Sequence, residues 1–332
     1  MYKAGILGTG FYVPENILTN EELAGRMDTS DEWIRTRTGI RQRRIAPKDM
    51  ATSDLAVRAG KRALRDAGIA PEDIDLVICA TLTPDTIIPA TACRVADALG
   101  TEHAAAFDLS AACSGFVYGT SVASAFVEQG IYKHVLVIGA ETLSRVIDWE
   151  DRTTCVLFGD GAGAAVIGAV EEGYGFLGFD LGSDGAGGDA LIIPASGSKM
   201  PLTPKNIAER QQYVKMDGKA VFRFAVKVLG KTVETSLKKA SLAPDAVDYL
   251  VPHQANIRII DSARHRLGIP EKKVIINIQK YGNMSAASIP VALAEAAQQG
   301  TFKKGDIVAL SGFGAGLTWG SCILKWFKED KS

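Results

Sequence analysis

Three residues of this chain carry complementary polar chemistry, and each stands where an apolar strand gives way to other structure: Cys113, His253 and Asn283. A strand over Ala105–Leu109 runs into Ser110-Ala111-Ala112-Cys113-Ser114-Gly115. Small residues beside a thiol permit a tight strand-to-helix turn, and a thiol in the first turn of a helix sees the positive end of its dipole, which favours thiolate. Locally, a plain buried cysteine among small residues remains an equal account. His253 ends the apolar segment Tyr249-Leu250-Val251-Pro252 and precedes Gln254-Ala255-Asn256. A lone strand-end histidine is commonly structural, and Asn283 in Tyr281-Gly282-Asn283 could be a turn residue, since asparagine tolerates left-handed backbone. Thiol, imidazole and carboxamide at one rim together point to a functional site with a nucleophile rather than to three coincidences. Gly312-Phe313-Gly314-Ala315-Gly316-Leu317 adds glycines that let backbone N–H groups approach a ligand as oxyanion donors. A tight inter-strand turn is the competing account of that segment.

The elements that must hold these residues occur twice. Ile69-Ala70-Pro71-Glu72-Asp73-Ile74-Asp75-Leu76-Val77 returns as Leu242-Ala243-Pro244-Asp245-Ala246-Val247-Asp248-Tyr249-Leu250, so Ala70 and Ala243 are 173 residues apart. Each copy follows an amphipathic helical stretch, 54–67 and 224–240, and leads into a strand. A small-residue helix opened by Cys113 and ending at Gln129-Gly130 is matched by one opened by Asn283 and ending at Gln299-Gly300, a separation of 170. Strand 135–138 is answered by 307–310, and Phe158-Gly159-Asp160-Gly161-Ala162-Gly163 by Phe313-Gly314-Ala315-Gly316. Paired segments in one order predict two halves of similar topology, 1–170 and 171–332, alternating strand and helix in mixed or parallel sheets. Ligands in such sheets gather beyond the carboxyl ends of strands. The duplication puts Cys113 and Asn283 there as equivalents, with Ala80 as the counterpart of His253. The Pro- and charge-rich stretch 194–215 reads as a surface excursion.

Bulk properties exclude several classes. With 37 Lys and Arg against 38 Asp and Glu, no overall field draws the chain to nucleic acid or an anionic membrane. The apolar run at 4–13 is broken by Gly8 and Gly10 and closed by Pro14, so it reads as neither a signal peptide nor an anchor. No later stretch reaches the ~18 apolar residues of a membrane span, and a soluble cytoplasmic protein is expected. Cys79, Cys93, Cys113, Cys155 and Cys322 are odd in number and widely spaced, and the histidines do not cluster with them, which argues against a metal site or disulfide framework. Gly8-Thr9-Gly10 hints at dinucleotide binding, but the third small residue is missing and Pro14 blocks the helix that must follow.

Thr36-Arg37-Thr38-Gly39-Ile40 after Trp33, Ala111-Ala112-Cys113-Ser114-Gly115-Phe116, Phe158-Gly159-Asp160-Gly161-Ala162-Gly163-Ala164-Ala165, Val251-Pro252-His253-Gln254-Ala255-Asn256 and Gly282-Asn283-Met284-Ser285-Ala286-Ala287-Ser288 resemble the β-ketoacyl-acyl-carrier-protein synthase III family, the initiating condensing enzymes of the thiolase superfamily, over essentially the whole chain. The resemblance implies a thiolase-like, five-layered αβαβα fold of two similar halves, a homodimer and no cofactor. It implies a decarboxylating condensation of a short acyl-CoA primer, as substrate, with malonyl-acyl carrier protein through an acyl-Cys113 intermediate. Cys113, His253 and Asn283 are then catalytic, the backbone N–H groups of Cys113 and Ala315 hold the oxyanion, and Phe313 crowds the malonyl carboxylate in an apolar wall. Trp33 and Arg152 clamp the CoA adenine with Arg37 near the phosphates. The primer pocket includes Ile88, where many members carry an aromatic, and primers longer or more branched than acetyl follow from the smaller side chain. An acidic carrier protein calls for a basic patch, for which Arg223, Arg258, Arg264 and Arg266 qualify, the last three on one helix.

The Cys/His/Asn set differs from the Cys/His/His of elongating synthases, and Cys322 in Gly320-Ser321-Cys322-Ile323-Leu324 reads as a terminal strand rather than the second catalytic cysteine of thiolases. A secondary-metabolism condensing relative on the same scaffold, a Cys/His/Asn thioesterase and a non-catalytic acyl-binding homologue are the alternatives.

Overall fold

The structure, a computed structural model, describes residues 3–328. Strands β1 (Lys3–Tyr12), β2 (Leu76–Ala80), β3 (Ala105–Leu109), β4 (His134–Thr142) and β5 (Asp160–Val170) form one sheet in the order β1-β5-β4-β2-β3. The β1–β5 and β5–β4 pairs are antiparallel, and β4–β2 and β2–β3 are parallel. Strands β6 (Gly175–Ser183), β7 (Tyr249–Pro252), β8 (Ile307–Gly314) and β9 (Thr318–Lys325) form the second sheet, ordered β6-β9-β8-β7. Its pairs are antiparallel, antiparallel and parallel in that order, and a parallel bridge from Leu250 to Val274 stands where β3 stands in the first. The two sheets therefore share one strand order.

Strand faces dictate the layers. Successive side chains of a strand point to opposite faces, so a strand covered on both sides must be apolar throughout. Leu76 and Ile78 meet a central core that contains helices α4 (Gly115–Glu128) and α7 (Ser288–Gln298). Val77 and Cys79 meet α2 (Thr52–Ala67) and α3 (Thr91–Leu99) on the other face. In the second sheet Val308 and Leu310 point to the same central core, while Ala309 packs with α5 (Gly218–Lys239) and α6 (Ile257–Leu267). The result is the expected thiolase-like αβαβα stack, with α4 and α7 as the middle layer. A helix between two sheets has no face for charge, and Glu128 is the only charged residue of α4.

The Gly8-Thr9-Gly10 segment lies within β1, under α2. A Cβ on Gly10 would fall 2.4 Å from the backbone N of Ala63, and one on Gly8 2.3 Å from that of Ala67. These glycines serve close helix-on-strand packing, not a phosphate loop.

Two details of the predicted duplication need correction. The 3-10 turns Ala112–Ser114 and Ser285–Ala287 open α4 and α7, and each begins with left-handed backbone, φ 47° at Ala112 and 46° at Ser285. Cys113 thus matches Ala286, 173 residues on, and Asn283 falls opposite Ser110 rather than Cys113. The misalignment arises because α7 has 11 residues against 14 in α4, so the helix ends keep a separation of 170 while the starts keep 173. The glycine echo also fails: Phe313-Gly314 closes β8, the partner of β4, whereas the segment at 158–163 leads into β5. The true counterparts are Gly139 and Gly312. A Cβ on Gly139 would meet the Ala286 carbonyl oxygen at 2.1 Å, and one on Gly312 the Cys113 carbonyl oxygen at 3.1 Å. Each sheet thereby leaves room for the turn that opens the other half's inner helix.

The stretch 194–215 runs over the surface with a short helix, Pro204–Ala208, but Val214 is buried. Leu191–Ile192 and Lys215–Met216 pair at its base.

Candidate active site

Cys113 sits in the 3-10 turn ahead of α4, and its neighbour Ser114 donates to the Ala111 carbonyl at 2.7 Å and to Thr318 Oγ1 at 2.9 Å. His253 follows β7, with its backbone N–H on the Ser311 carbonyl at 2.7 Å. The next residue fixes that loop: buried Gln254 donates to the Pro252 and Ile275 carbonyls and accepts from the Asn277 and Ile278 N–H groups. Asn283 is held on both sides, its N–H on the Leu157 carbonyl and its carbonyl on the Gly159 N–H, each at 2.9 Å. Its side-chain oxygen accepts from the Ser285 N–H at 2.8 Å.

These three side chains line one cavity of about 100 Å³ with Phe158, Phe222 and Phe313. Cys113 also faces a second cavity, about 200 Å³, with Leu82, Leu143, Val214 and Ser285. The sulfur therefore stands at the junction of a polar-ended cleft and an apolar chamber.

Burial sets the protonation states. His253 is 1% exposed, its ring edge-on to Phe313 with centroids 5.5 Å apart, and Nδ1 has no partner among the described residues. Desolvation alone lowers its pKa to about 3, so the imidazole is neutral at physiological pH, a hydrogen-bond donor and not a cation. Burial likewise raises the Cys113 thiol to about 12, with the nearby Ser285 side chain opposing and the Glu141 charge adding to the rise. The expectation that the helix dipole leaves Cys113 as thiolate is corrected here: desolvation dominates and the resting group is a thiol.

The Phe313–Leu317 segment reaches the site through Gly314. A Cβ there would fall 2.6 Å from the Cys113 nitrogen, so only glycine lets the chain back onto the nucleophile's N–H. Ala315 is the next residue, at the start of the β8–β9 turn. Ile88 does not join this site within the chain: it is 83% exposed, with Ile87 at 87%, on the loop between β2 and α3.

The CoA candidates do come together. Trp33 is half-buried on α1 (Asp31–Thr38), with the Arg37 guanidinium 4.6 Å from its ring centre and that of Arg152 at 5.8 Å. Arg37, not Arg152, is the nearer cation, because four-residue spacing stacks it over Trp33 on one helix face. Arg152 is tied to Asp28 at 3.0 Å.

The four arginines expected as one basic patch divide. Arg258 opens α6 with its guanidinium 5.4 Å from the Phe222 ring at the cleft, and Arg223 is exposed beside Phe222 on α5. Arg264 pairs with Asp261 at 2.7 Å, and Arg266 makes two 2.8 Å bonds to Glu234. Both lie in the last turn of α6, about 9–12 Å further along the helix axis at 1.5 Å per residue. Sequence reading missed Lys219, Lys227 and Lys231, which extend Arg223 into an exposed stripe on α5. Among the described residues none of these cations is in an ion pair, and their four-residue spacing was the available signal.

Arg43 was also missed. It is fully buried and donates to the carbonyls of Leu18 and Val156 and to Asn20 Oδ1. Its Cβ lies within 3.3 Å of where side chains on Gly159 and Gly282 would be, so it floors the loop that carries Asn283.

Among the described residues there is no cluster of metal-ligating side chains and no helix long and apolar enough to cross a membrane. Two family models match: 3-oxoacyl-[acyl-carrier-protein] synthase III over residues 107–185 and its C-terminal counterpart over 237–326. The chain is similar to the β-ketoacyl-[acyl-carrier-protein] synthase III of Desulfitobacterium hafniense, 56% identical over 329 residues and 99% of each chain. It is 57% identical to that of Caldanaerobacter subterraneus over 98% of each. The crystal structure of the 3-oxoacyl-[acyl-carrier-protein] synthase III of Aquifex aeolicus superposes with a TM-score of 0.90 at 46% identity, covering 97% of this chain and all of that one.

Proposed function

The chain belongs to the β-ketoacyl-[acyl-carrier-protein] synthase III family, and from that premise we propose how its residues divide the work of the initiating condensation of fatty-acid synthesis. The reaction joins an acyl group from acyl-CoA to malonyl-acyl carrier protein with loss of carbon dioxide. Cys113 attacks the primer thioester and CoA leaves. The backbone N–H groups of Cys113 and Ala315 hold the tetrahedral oxyanion, and the acyl chain lies in the chamber lined by Leu82, Leu143 and Val214. Malonyl carrier protein then enters the other cleft and loses carbon dioxide beside Phe313, where a carboxylate is poorly solvated. Its enolate oxygen needs donors and no proton abstraction. A neutral His253 N–H and the Asn283 amide supply them, and the carbanion attacks acyl-Cys113. Thiol and decarboxylation provide nucleophile and carbanion, so no resident cofactor is required.

The observation that carries this reading is the buried, uncharged His253 beside Asn283 on the cleft that ends at Cys113. A thioesterase would need that histidine as a base to activate water, which a pKa near 3 opposes. His253→Ala and Asn283→Ala should still acylate Cys113 from acyl-CoA at near wild-type rate while losing malonyl decarboxylation by about 100-fold or more. Loss of both half-reactions together, in a variant with an unchanged melting curve, contradicts the division of roles.

For substrates, Trp33, Arg37 and Arg152 take the CoA adenine and phosphates, and Arg223 and Arg258 meet the acidic carrier protein. A homodimer agrees with two exposed features: β3 is a sheet edge with Phe107 37% exposed, and Ile87 and Ile88 project from the adjoining loop. Ile88 then lines a primer pocket only across the dimer. Its small side chain favours primers longer or more branched than acetyl, and an acyl-CoA competition assay with strict acetyl preference rejects that.

A further inference from the structure

The cleft assigned to malonyl has a second, more polar cavity behind its aromatic wall. A space of about 400 Å³ opens between α5 and the edge strand β6. Exposed Asp184, Lys227 and Lys231 line it with Thr235, and the rings of Phe224 and Trp319 complete its walls. A polar, open space of that size fills with water. Phe224 meets Phe313 edge to face, with ring centroids 6.3 Å apart at 74°, and Phe313 lines the cleft with Cys113, His253 and Asn283. The outer cavity and the cleft therefore approach each other across a single pair of rings.

Strand register builds this wall. Phe313 of β8 stands directly opposite Trp319 of β9, and Trp319 stands opposite Gly182 of β6. Residues paired in this way share one face of the sheet, here the face that packs on α5. A Cβ on Gly182 would fall 2.3 Å from Trp319 Cζ2, so the indole lies across the edge strand where glycine leaves it room. Phe224, on α5, touches both rings, with its centroid 6.0 Å from that of Trp319 and 6.3 Å from that of Phe313. Phe313 in turn meets the His253 ring at 5.5 Å and 73°. Edge-to-face contacts of this kind fix the orientation of a ring as well as its place. Phe313 is 3% exposed, whereas Phe224 and Trp319 are part-buried, as rings with one side on a solvated cavity must be.

We infer that Phe224 and Trp319 are positioning residues of the decarboxylation, bracing Phe313 beside His253 and sealing the cleft from the water of the outer cavity. The inference rests on the malonyl reading of that cleft. Neither ring lines the cleft itself, and both act through Phe313. Two needs of the reaction call for the seal. A malonyl carboxylate departs readily as carbon dioxide where water does not solvate it. When that C–C bond breaks, its electron pair passes to the enolate, whose carbon must attack the acyl-Cys113 carbonyl, forming the new C–C bond and releasing the sulfur with its pair. Water within reach of the carbon would give it a proton instead, leaving acetyl carrier protein, carbon dioxide and hydroxide, with the acyl group still on Cys113.

The test is the product ratio of Phe224→Ala and Trp319→Ala supplied with a short acyl-CoA and malonyl carrier protein in heavy water, read by mass spectrometry of the carrier. Ketone formation should fall about tenfold or more, while acetyl carrier protein bearing a solvent deuteron rises above the wild-type background. Cys113 acylation by the acyl-CoA alone should keep its wild-type rate. Phe224→Leu, which keeps an apolar side chain against Phe313, should recover most of the ketone and suppress the acetyl product, and it gives the same reading where an alanine variant fails to fold. A role confined to packing would lower acylation and condensation together and leave the ratio of ketone to acetyl unchanged. A wild-type ratio in both alanine variants, whatever their absolute rates, overturns the seal. Absence of ketone from the wild type overturns the malonyl reading of the cleft instead.

Discussion

At the residue scale, burial governs the site more than the identity of its side chains. Cys113, His253 and Glu141 all sit out of water, and each is held in its uncharged form or close to it. For Glu141 this has a consequence for stability. Its folded pKa is raised from 4.5 to about 7, so the folded state binds more protons in that window and stability falls as pH rises through it. Glu141→Gln should match wild type near pH 4.5 and exceed it above pH 7 by up to about 3 kcal/mol. Urea denaturation at the two pH values checks this, and a pH-independent difference rejects a neutralised Glu141. Cys113 and His253 could be found in the sequence because each is a polar group just beyond an apolar strand, whereas Asn283 follows the short helix Ile278–Tyr281 instead of the expected strand and was reached through the repeat. Glu141 gave the same signal, a single acid closing Val135-Leu136-Val137-Ile138-Gly139-Ala140, but nothing local tells that Thr81, Thr83 and the Leu82 N–H will surround its carboxyl. Arg43 was illegible because its partners, Leu18, Asn20 and Val156, are mostly backbone carbonyls that any sequence could supply. Arg43→Ala should destabilise by about 3 kcal/mol or more in the same urea assay, since three acceptors lose their donor.

At the scale of elements, the duplication was visible because the strand openings and the Pro71–Asp73 and Pro244–Ala246 turns keep strict spacing. The position of Asn283 opposite Cys113 was not, since a three-residue difference in helix length preserves the wrong separation at the far end. Close packing explains where glycine is fixed. Gly10→Ala forces a Cβ into the α2 backbone at 2.4 Å and should cost about 2–3 kcal/mol by overpacking. Gly68, at the end of α2 with φ 68° and none of the described residues within 4 Å of an added Cβ, should lose only about 1 kcal/mol on the same change. Equal losses in urea denaturation contradict the packing account of the Gly8-Thr9-Gly10 segment.

On the scale of the whole molecule, the cations around the cleft serve different ends. Arg264 and Arg266 satisfy Asp261 and Glu234 within the chain, whereas Lys219, Arg223, Lys227 and Arg258 are exposed, Arg223 and Arg258 next to Phe222 at the cleft. Arg223→Glu or Arg258→Glu should raise KM for malonyl carrier protein about tenfold without changing Cys113 acylation, with the effect shrinking in high salt. Arg266→Glu should leave KM unaltered, and the reverse pattern moves the docking face to the far end of α6. Charged side chains of one helix looked equivalent in sequence because their carboxylate partners lie on other elements. The proposed homodimer predicts that wild type sediments as a dimer and Phe107→Glu, on the edge of β3, as a monomer; a monomeric wild type in sedimentation equilibrium contradicts it.

One measurement bears on all of this: the yield of β-ketoacyl carrier protein from Cys113→Ser supplied with both thioesters, followed by mass spectrometry of the carrier. Oxygen is a far poorer nucleophile in a site with no strong base against it, and the variant should give no acyl-enzyme and no ketone above background. Ketone formed at the wild-type rate would mean that the sulfur is a bystander, and the assignment of the whole site would fall with it.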